Sequence, residues 1–148
     1  MIATRQLCTF SLDGHLFGVD AQRVQEVIRY QEMTRAPMAP PAVGGLINLR
    51  GQIVTAIDLR TRLGLTPRPA GKLPMNVVVR SDDGAVSLLV DQIGDVIEVN
   101  PNDFESPPDT LQGASRELVL GAYKLHQRLL LLLDCERAVQ LTSESVLA

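Results

Sequence analysis

Few side chains in this sequence of 148 residues have the types and spacings that catalysis or metal binding requires. The two histidines, His15 and His126, each lie in or beside a predicted turn, and neither has a partner that would orient it for acid–base chemistry. The two cysteines, Cys8 and Cys135, lie in or beside apolar runs, which is typical of small buried side chains. No phosphate-binding loop and no Gly-x-Ser-x-Gly motif is present. The sequence therefore predicts no catalytic residue, no metal site and no cofactor.

Two pairs of carboxylates could in principle bind a cation. Asp82 and Asp83 form the predicted tip of a hairpin, and Asp91 with Asp95 flanks a predicted turn. Metal sites need clustered ligands from several segments, and the sequence supplies none beside these pairs. We therefore expect all four carboxylates to be solvated.

The most unusual polar residue is an arginine at the end of an apolar segment. Arg50 lies within Asn48-Leu49-Arg50-Gly51, and Asp58-Leu59-Arg60 follows after a predicted strand. A guanidinium there can reach several backbone carbonyls, or one carboxylate through two parallel hydrogen bonds, and Asp58 is a plausible partner. Two interpretations stay open: an ion pair that stabilises the corner between strand and turn, or direct contact of Arg50 with a binding partner.

Composition narrows the class of protein. Hydrophobic residues make up 45% and charged residues 21%, which is typical of one globular domain. Aromatic residues make up only 3%, and the net charge is −3, so a nucleic-acid surface is not expected. Residues 1–70 carry eight basic and five acidic side chains, whereas residues 71–148 carry six and twelve, so the two halves have opposite net charges. Chance on a solvated surface and head-to-tail association are both consistent with that asymmetry.

The amino terminus has no long apolar stretch of the kind found in a secretory signal. The longest leucine run, 129–133, is far too short to span a bilayer. We therefore expect a cytoplasmic protein without membrane insertion.

Most periodic segments are short and alternate with period two, which favours strands. Asp13-Gly14 predicts one hairpin turn, and residues 81–84 and 124–127 predict two more. Residues 66–74, with three prolines, predict an exposed loop, as do residues 100–113. A faint internal repeat relates Gly14–Asp20 to Gly84–Asp91. The pattern predicts a mainly β fold of two small antiparallel β-barrel-like lobes with two or three short helices, and a single β-sandwich is the alternative.

Three short helices are predicted. Asp20 has the character of an N-cap, and Ala21, Val24, Val27 and Ile28 have the spacing of an amphipathic helix of about two turns. Residues 58–64 predict one or two turns that end at Gly64, and Asp134 is predicted to cap a helix over residues 135–141. Residues 142–148 are expected to fray.

The order and spacing of several short segments form a specific pattern: Phe17-Gly18-Val19-Asp20, Val24-Gln25-Glu26-Val27-Ile28, Gly45-Leu46-Ile47-Asn48-Leu49-Arg50-Gly51, Ile57-Asp58-Leu59-Arg60, Val90-Asp91, Val96 and Leu120-Gly121-Ala122. Over about residues 7–141 the sequence resembles the CheW-like family of bacterial chemotaxis coupling proteins. The family often has proline where Thr55 stands, and the turn 123–127 is longer than usual. Contacts of that hairpin tip are therefore not carried over.

The resemblance implies one CheW-like domain over residues 1–148, built of two SH3-like lobes. The lobes are expected at approximately residues 15–75 and 76–135, with terminal segments exchanged between them. It also implies a cytoplasmic adaptor, recruited to membrane-associated receptor arrays, that joins chemoreceptor tips to the regulatory domain of a histidine kinase and can assemble into rings or arrays. An adaptor of a twitching-motility or other non-flagellar pathway is the alternative.

By resemblance, Val24, Glu26 and Arg50 match positions tied to receptor coupling, and the groove between the lobes receives the receptor's helical hairpin. Core packing is the competing interpretation for Val24, because it lies on the apolar stripe of the predicted helix. The motif residues Asn48, Leu49, Gly51, Asp58 and Arg60 are assigned to the structural corner. A small hydrolase and a single-strand-binding barrel are the alternatives from other classes, and the sequence offers neither a nucleophile–base pair nor the aromatic residues that they need.

Overall fold

The chain is described here by a computed structural model that covers residues 5–141. Within these residues, eleven strands form two sheets. The strands are β1 Arg5–Leu12, β2 His15–Asp20, β3 Val24–Ile28, β4 Val43–Leu49, β5 Gln52–Asp58, β6 Met75–Ser81, β7 Gly84–Val90, β8 Gln92–Val99, β9 Phe104–Glu105, β10 Val119–Leu125 and β11 Arg128–Leu133. The helices are α1 Leu59–Arg62, α2 Gly113–Leu118 and α3 Cys135–Val139, with single 3₁₀ turns at Ala21–Arg23 and Pro101–Asp103.

The two sheets share a topology. One has the order β3-β6-β7-β5-β4 and is called the first lobe below; the other, the second lobe, has the order β8-β1-β2-β11-β10-β9. In the first lobe the hairpin β6–β7 places its return strand, β7, parallel to β5. In the second lobe the hairpin β1–β2 places its return strand, β2, parallel to β11. The faint repeat of Gly14–Asp20 and Gly84–Asp91 corresponds to these two equivalent return strands. The mainly β prediction of two lobes with three short helices is confirmed.

The lobes divide the sequence differently from the expected boundaries near residue 75. β6 and β7 pair with β3 and β5, so the strands of the first lobe lie within residues 24–90. The amino-terminal hairpin β1–β2 completes the sheet made by the carboxyl-terminal strands, because β2 pairs with β11.

Alternating side chains of single strands are shared between a central core and a core within each lobe. Leu88 and Val90 of β7 face the central core, whereas Leu89 faces the core of the first lobe with Ile47 and Val54. In β11 the residues alternate in the same way between the central core and the core of the second lobe. The two cores explain why these strands are continuously apolar, since both of their faces are buried.

The three predicted hairpins are confirmed, with turns at Asp13-Gly14, Asp82-Asp83 and His126-Gln127. The single turn α1 ends before Gly64, whose φ of +72° suits glycine, and Asp134 caps α3. Residues 66–74 form a loop as predicted. Residues 100–113 are less irregular than predicted, because they include the 3₁₀ turn and β9, and α2 follows them. The prediction for residues 142–148 lies outside the described residues.

The predicted helix over residues 21–28 was wrong. Only Ala21–Arg23 forms a 3₁₀ turn, capped by Asp20, and Val24–Ile28 is the strand β3. A bulge at Gln25 explains the misleading pattern, because Val24 lies opposite Val79 and Val27 lies opposite Val77. The extra residue places two valines three positions apart on one face, which is the spacing that a helix would give.

No helix within residues 5–141 is long and apolar enough to cross a membrane.

Candidate functional site

Arg50 occupies a tight turn that its neighbours build. Arg50 and Gly51 are the two turn residues between Leu49 of β4 and Gln52 of β5, with φ angles of +52° and +86°. These angles are those of a type I′ turn, which matches the twist of the strands. The side-chain oxygen of Asn48 accepts a hydrogen bond of 2.9 Å from the backbone N–H of Gly51. The motif Asn48-Leu49-Arg50-Gly51 is therefore a structural corner that holds the arginine at the tip of the hairpin.

The carboxylate that Arg50 binds belongs to Glu26. The two terminal nitrogens of Arg50 donate hydrogen bonds of 2.5 and 2.7 Å to the two carboxylate oxygens of Glu26. The prediction of a two-pronged ion pair is right in kind, and the predicted partner, Asp58, is wrong. The Arg50 side chain is 71% exposed and that of Glu26 only 18%. Hydrogen bonds from Arg50 hold the pKa of Glu26 below its ordinary value.

This ion pair joins the two edges of the first lobe. Glu26 lies on β3 and Arg50 follows β4, and these strands are at opposite ends of the sheet. Glu26 lies opposite Val78 in the β3–β6 pair. Its side chain is therefore on the face of the sheet that contains the core of the first lobe. Segment 29–42 closes the same gap, because Thr34 and Leu46 exchange backbone hydrogen bonds of 2.8 and 2.7 Å. The first lobe is therefore a closed barrel with a charged pair at its seam.

Asp58 and Arg60 take part in a second ionic cluster, at the junction of the two lobes. Arg60 donates to Asp91 through two nitrogens at 3.0 and 2.6 Å, and Arg68 donates to Asp91 at 3.1 Å and to Asp58 at 3.2 Å. The backbone N–H of Asp13, in the β1–β2 turn, also donates to Asp91 at 2.8 Å. Asp91 thus links the first lobe, the loop 66–74 and the second lobe.

The charges in this cluster are mutually compensated. Burial alone would raise the pKa of Asp91, but hydrogen bonds from Arg60 and from Asp13 outweigh it and leave the pKa below its ordinary value. The pKa of Arg60 is raised, chiefly by its hydrogen bonds to Asp91. The prediction that Asp91 is solvated was wrong, whereas Asp82, Asp83 and Asp95 are exposed as predicted. The sequence could not reveal Arg68 as a partner, because it lies among prolines with no periodic pattern around it.

The family resemblance implies a groove between the lobes, and the edge strands that would flank it are β3 of the first lobe and β8 of the second. Val27 of β3 is 44% exposed and Val96 of β8 is 57% exposed. Both face the central core: Val27 lies opposite the core residue Val77, and Val96 lies opposite Cys8, which packs against that core. Val24 of β3 and Ile93 of β8 are partly buried and also pack against the central core.

The three predicted partner-contact residues are therefore arranged around β3. Val24 packs against the central core, in keeping with the competing interpretation, while Glu26 holds Arg50 at the barrel seam. Sequence analysis missed Val27 as an exposed residue of the groove, because the helical interpretation assigned it to a buried stripe.

His15 and His126 are exposed, and within residues 5–141 no three His, Cys, Asp or Glu side chains cluster as metal ligands would. Both cysteines are free thiols, and burial raises the pKa of Cys135 to about 11. Cys135 is buried as predicted, whereas Cys8 is only half-buried.

The sequence is similar to a known domain family and to several known proteins. A model of the CheW-like domain matches residues 6–143. The chemotaxis protein CheW of Treponema pallidum is 31% identical over 136 residues, covering 89% of this chain and 80% of that protein. CheW of Bacillus subtilis is 30% identical over 129 residues, covering 87% of this chain and 83% of that protein. Protein PilI of Pseudomonas aeruginosa is 25% identical over 118 residues, covering 80% and 66%.

A solved structure has the same fold. The scaffolding protein TtCheW from Thermoanaerobacter tengcongensis superimposes with a TM-score of 0.82 at 28% identity, covering 93% of this chain and 94% of that chain. Domain match, sequence identity and shared architecture agree over nearly all of the described residues, and the chain therefore belongs to the CheW-like domain family.

Proposed function

We propose that the protein is a non-enzymatic chemotaxis adaptor that couples the cytoplasmic tips of chemoreceptors to the regulatory domain of a histidine kinase. The observation that carries the proposal is that the edge strands of the two lobes, β3 and β8, expose the apolar side chains of Val27 and Val96 on the side of the central core. A groove flanked by these strands suits an amphipathic helix, which docks through apolar anchors and a polar rim. The relatives named CheW, and the solved scaffolding protein, support the adaptor class.

The receptor tip is proposed to bind in this groove as a helical hairpin. Burial of one aliphatic anchor contributes about 1.5–3 kcal/mol, so two or three anchors give a modest, reversible affinity. Glu26 is adjacent to Val27 in the sequence, and its ion pair with Arg50 at the seam of the first lobe is proposed as an additional polar contact for the receptor. Val24 is proposed to contribute indirectly, because its packing against the central core holds β3 in position.

The kinase is proposed to bind barrel to barrel, with each lobe contacting the opposite lobe of a kinase domain. Within residues 24–90 eight basic and five acidic side chains give a net charge of +3. Residues 5–20 and 92–141 of the second lobe carry five basic and ten acidic side chains, a net charge of −5. Exposed Ile53 on the first lobe and Leu120 on the second offer apolar contacts. Opposite charges on the two lobes favour head-to-tail pairing, which can close into rings.

An adaptor of a pilus-linked pathway is the second candidate, and the similarity to Protein PilI is the observation in its favour. Its identity of 25% is lower than the 31% and 30% found for the two CheW relatives, so the chemotaxis assignment is preferred. Either pathway would place the protein in the cytoplasm at membrane-associated receptor arrays.

A capture experiment tests the proposal. The tagged chain is incubated with lysate of its own organism, and the bound proteins are identified by mass spectrometry. We expect the unaltered chain to capture both a chemoreceptor and a histidine kinase. A Val27→Asp/Val96→Asp variant should capture less of the chemoreceptor and the same amount of the kinase. Raised salt should weaken kinase capture if the lobe charges contribute. Capture of neither protein by the unaltered chain would refute the adaptor function.

A further inference from the structure

A second groove lies between the first lobe and α3. It has a volume of about 400 Å³ and is lined on one side by β5, β7 and the β6–β7 turn, and on the other by α3 and the residues just after it. None of its lining residues lies on β3 or β8. A groove of this size is large enough to accept side chains of a partner.

The floor of this groove is apolar. Ile57 is buried, and Val86, Val139 and Leu141 are half-buried and pack against the central core. These four side chains make one apolar strip that the described residues leave partly open to solvent. Covering such a strip would remove apolar surface from water and is therefore favourable.

The rim of the groove is acidic. Asp82 and Asp83 lie on the β6–β7 turn and Glu136 lies on α3, and all three are exposed. Within residues 5–141 none of the three takes part in an ion pair, and the groove lining includes no Lys or Arg. A nucleic acid or an acidic segment would be repelled, whereas a cationic segment would be attracted. The residues after Leu141 carry Glu144 as their single charged side chain, which the same rim disfavours.

The wall formed by α3 is held in place by a half-buried arginine of the first lobe. Arg62 of α1 donates hydrogen bonds of 3.1, 2.9 and 3.4 Å to the carbonyl oxygens of Ala138, Arg137 and Gln140, at the end of α3. Partial burial lowers the pKa of Arg62 below its ordinary value. Because this contact is already made, a partner would not have to order the wall when it binds.

We propose that this groove is a docking site for a basic amphipathic segment of a partner protein. One or two aliphatic side chains of that segment cover the strip formed by Ile57, Val86, Val139 and Leu141, and flanking Lys or Arg side chains pair with Asp82, Asp83 and Glu136. The site adds a contact surface to the adaptor that is independent of the receptor groove and of the proposed function.

Fluorescence anisotropy with a labelled probe tests the site. The probe is a synthetic helical peptide of Leu and Lys, with its leucines on one face, and the control peptide has Glu in place of Lys. We expect the full chain to bind the Lys peptide in low salt and not the Glu peptide. The variant Asp82→Asn/Asp83→Asn/Glu136→Gln should bind the Lys peptide about tenfold more weakly, the scale expected when a few surface charge pairs are lost.

A matched variant separates the groove from general charge attraction. Asp103→Asn/Asp109→Asn/Glu117→Gln removes the same charge from exposed positions outside the groove and should leave binding within about twofold of the unaltered chain. Val86→Thr keeps the charge of the groove and nearly the shape of the side chain but makes the floor polar. It should weaken binding of the Lys peptide severalfold. Thermal unfolding of this variant checks that the fold is retained. Equal weakening by both triple variants, unchanged binding in Val86→Thr, or no binding of the Lys peptide at all would overturn the proposal.

Discussion

The guanidinium of Arg50 pairs with the carboxylate of Glu26 although the two residues lie at opposite edges of the same five-stranded sheet. The sheet curls enough to bring these two side chains together, and Arg50 donates one hydrogen bond to each carboxylate oxygen. Arg50 is thus a structural residue of the barrel and, because most of its surface is exposed, also available to a partner. The two interpretations of Arg50 that the sequence left open are compatible.

Substitution of this pair should weaken receptor binding and leave the fold intact. Glu26→Lys places two like charges at the seam, and Arg50→Ala removes the exposed positive charge of the seam, so we expect roughly tenfold weaker binding to a receptor-tip fragment in each case. Circular dichroism checks the fold, and a pull-down or surface plasmon resonance measures binding. The exchanged variant Glu26→Arg/Arg50→Glu should keep the stability of the barrel. Loss of the fold in Arg50→Ala would show that the arginine acts only as a structural corner.

The groove between β3 and β8 should be the main apolar contact for the receptor. Val27→Asp and Val96→Asp put a charge where an aliphatic anchor is proposed to dock, so each should weaken binding to the receptor-tip fragment by tenfold or more. Both side chains are exposed, and the thermal midpoint should change little. Leu73→Asp, at a more exposed leucine of the loop 66–74, is the control and should bind normally. Normal binding by the two valine variants would place the receptor elsewhere.

Asp91 should make stability depend on pH. Its pKa in the folded chain lies below the unfolded value of about 3.9, so the ionised carboxylate stabilises the fold above that pH. The contribution is lost as the pH falls from about 4 through the folded-state pKa. We expect Asp91→Asn to lower the free energy of unfolding by about 2 kcal/mol at neutral pH, since Arg60 and Arg68 lose their shared anion.

Urea unfolding at a series of pH values measures this effect. The stability of the unaltered chain should fall more steeply below about pH 4 than that of Asp91→Asn, so that the two curves converge in acid. Asp95→Asn removes an exposed carboxylate nearby and should change stability by less than about 0.5 kcal/mol. Parallel curves for Asp91→Asn and the unaltered chain would contradict the role assigned to the cluster.

Cys135 should be almost inert in the folded protein. Burial raises the pKa of its thiol to about 11, which at pH 8 leaves about a hundredfold less thiolate than in a free cysteine. In a Cys8→Ser variant, where Cys135 is the remaining thiol, alkylation by iodoacetamide should therefore be at least a hundredfold slower in buffer than in urea. Fast alkylation without urea would mean that α3 detaches readily from the central core.

The sequence by itself determined the local structure. Asp13-Gly14 and the residues around Asp82 and Asp83 made the hairpins predictable, because few residue pairs tolerate the backbone angles of such turns. The continuous apolar runs of β7 and β11 indicated burial on both faces. The same local reasoning failed at β3, where a bulge gave a strand the spacing of a helix.

Only the tertiary structure decided which distant groups meet. Glu26 and Arg50 are 24 residues apart, and Asp13 and Asp91 are 78 apart, and nothing in the alternation of either strand encodes these pairs. Period-two patterns determine which face of a strand is buried, but the partner across a sheet and the curl that joins its edges depend on how all strands pack together. The grooves belong to this second kind of information, since each is made by elements that come together only when the two lobes and α3 assemble around the central core.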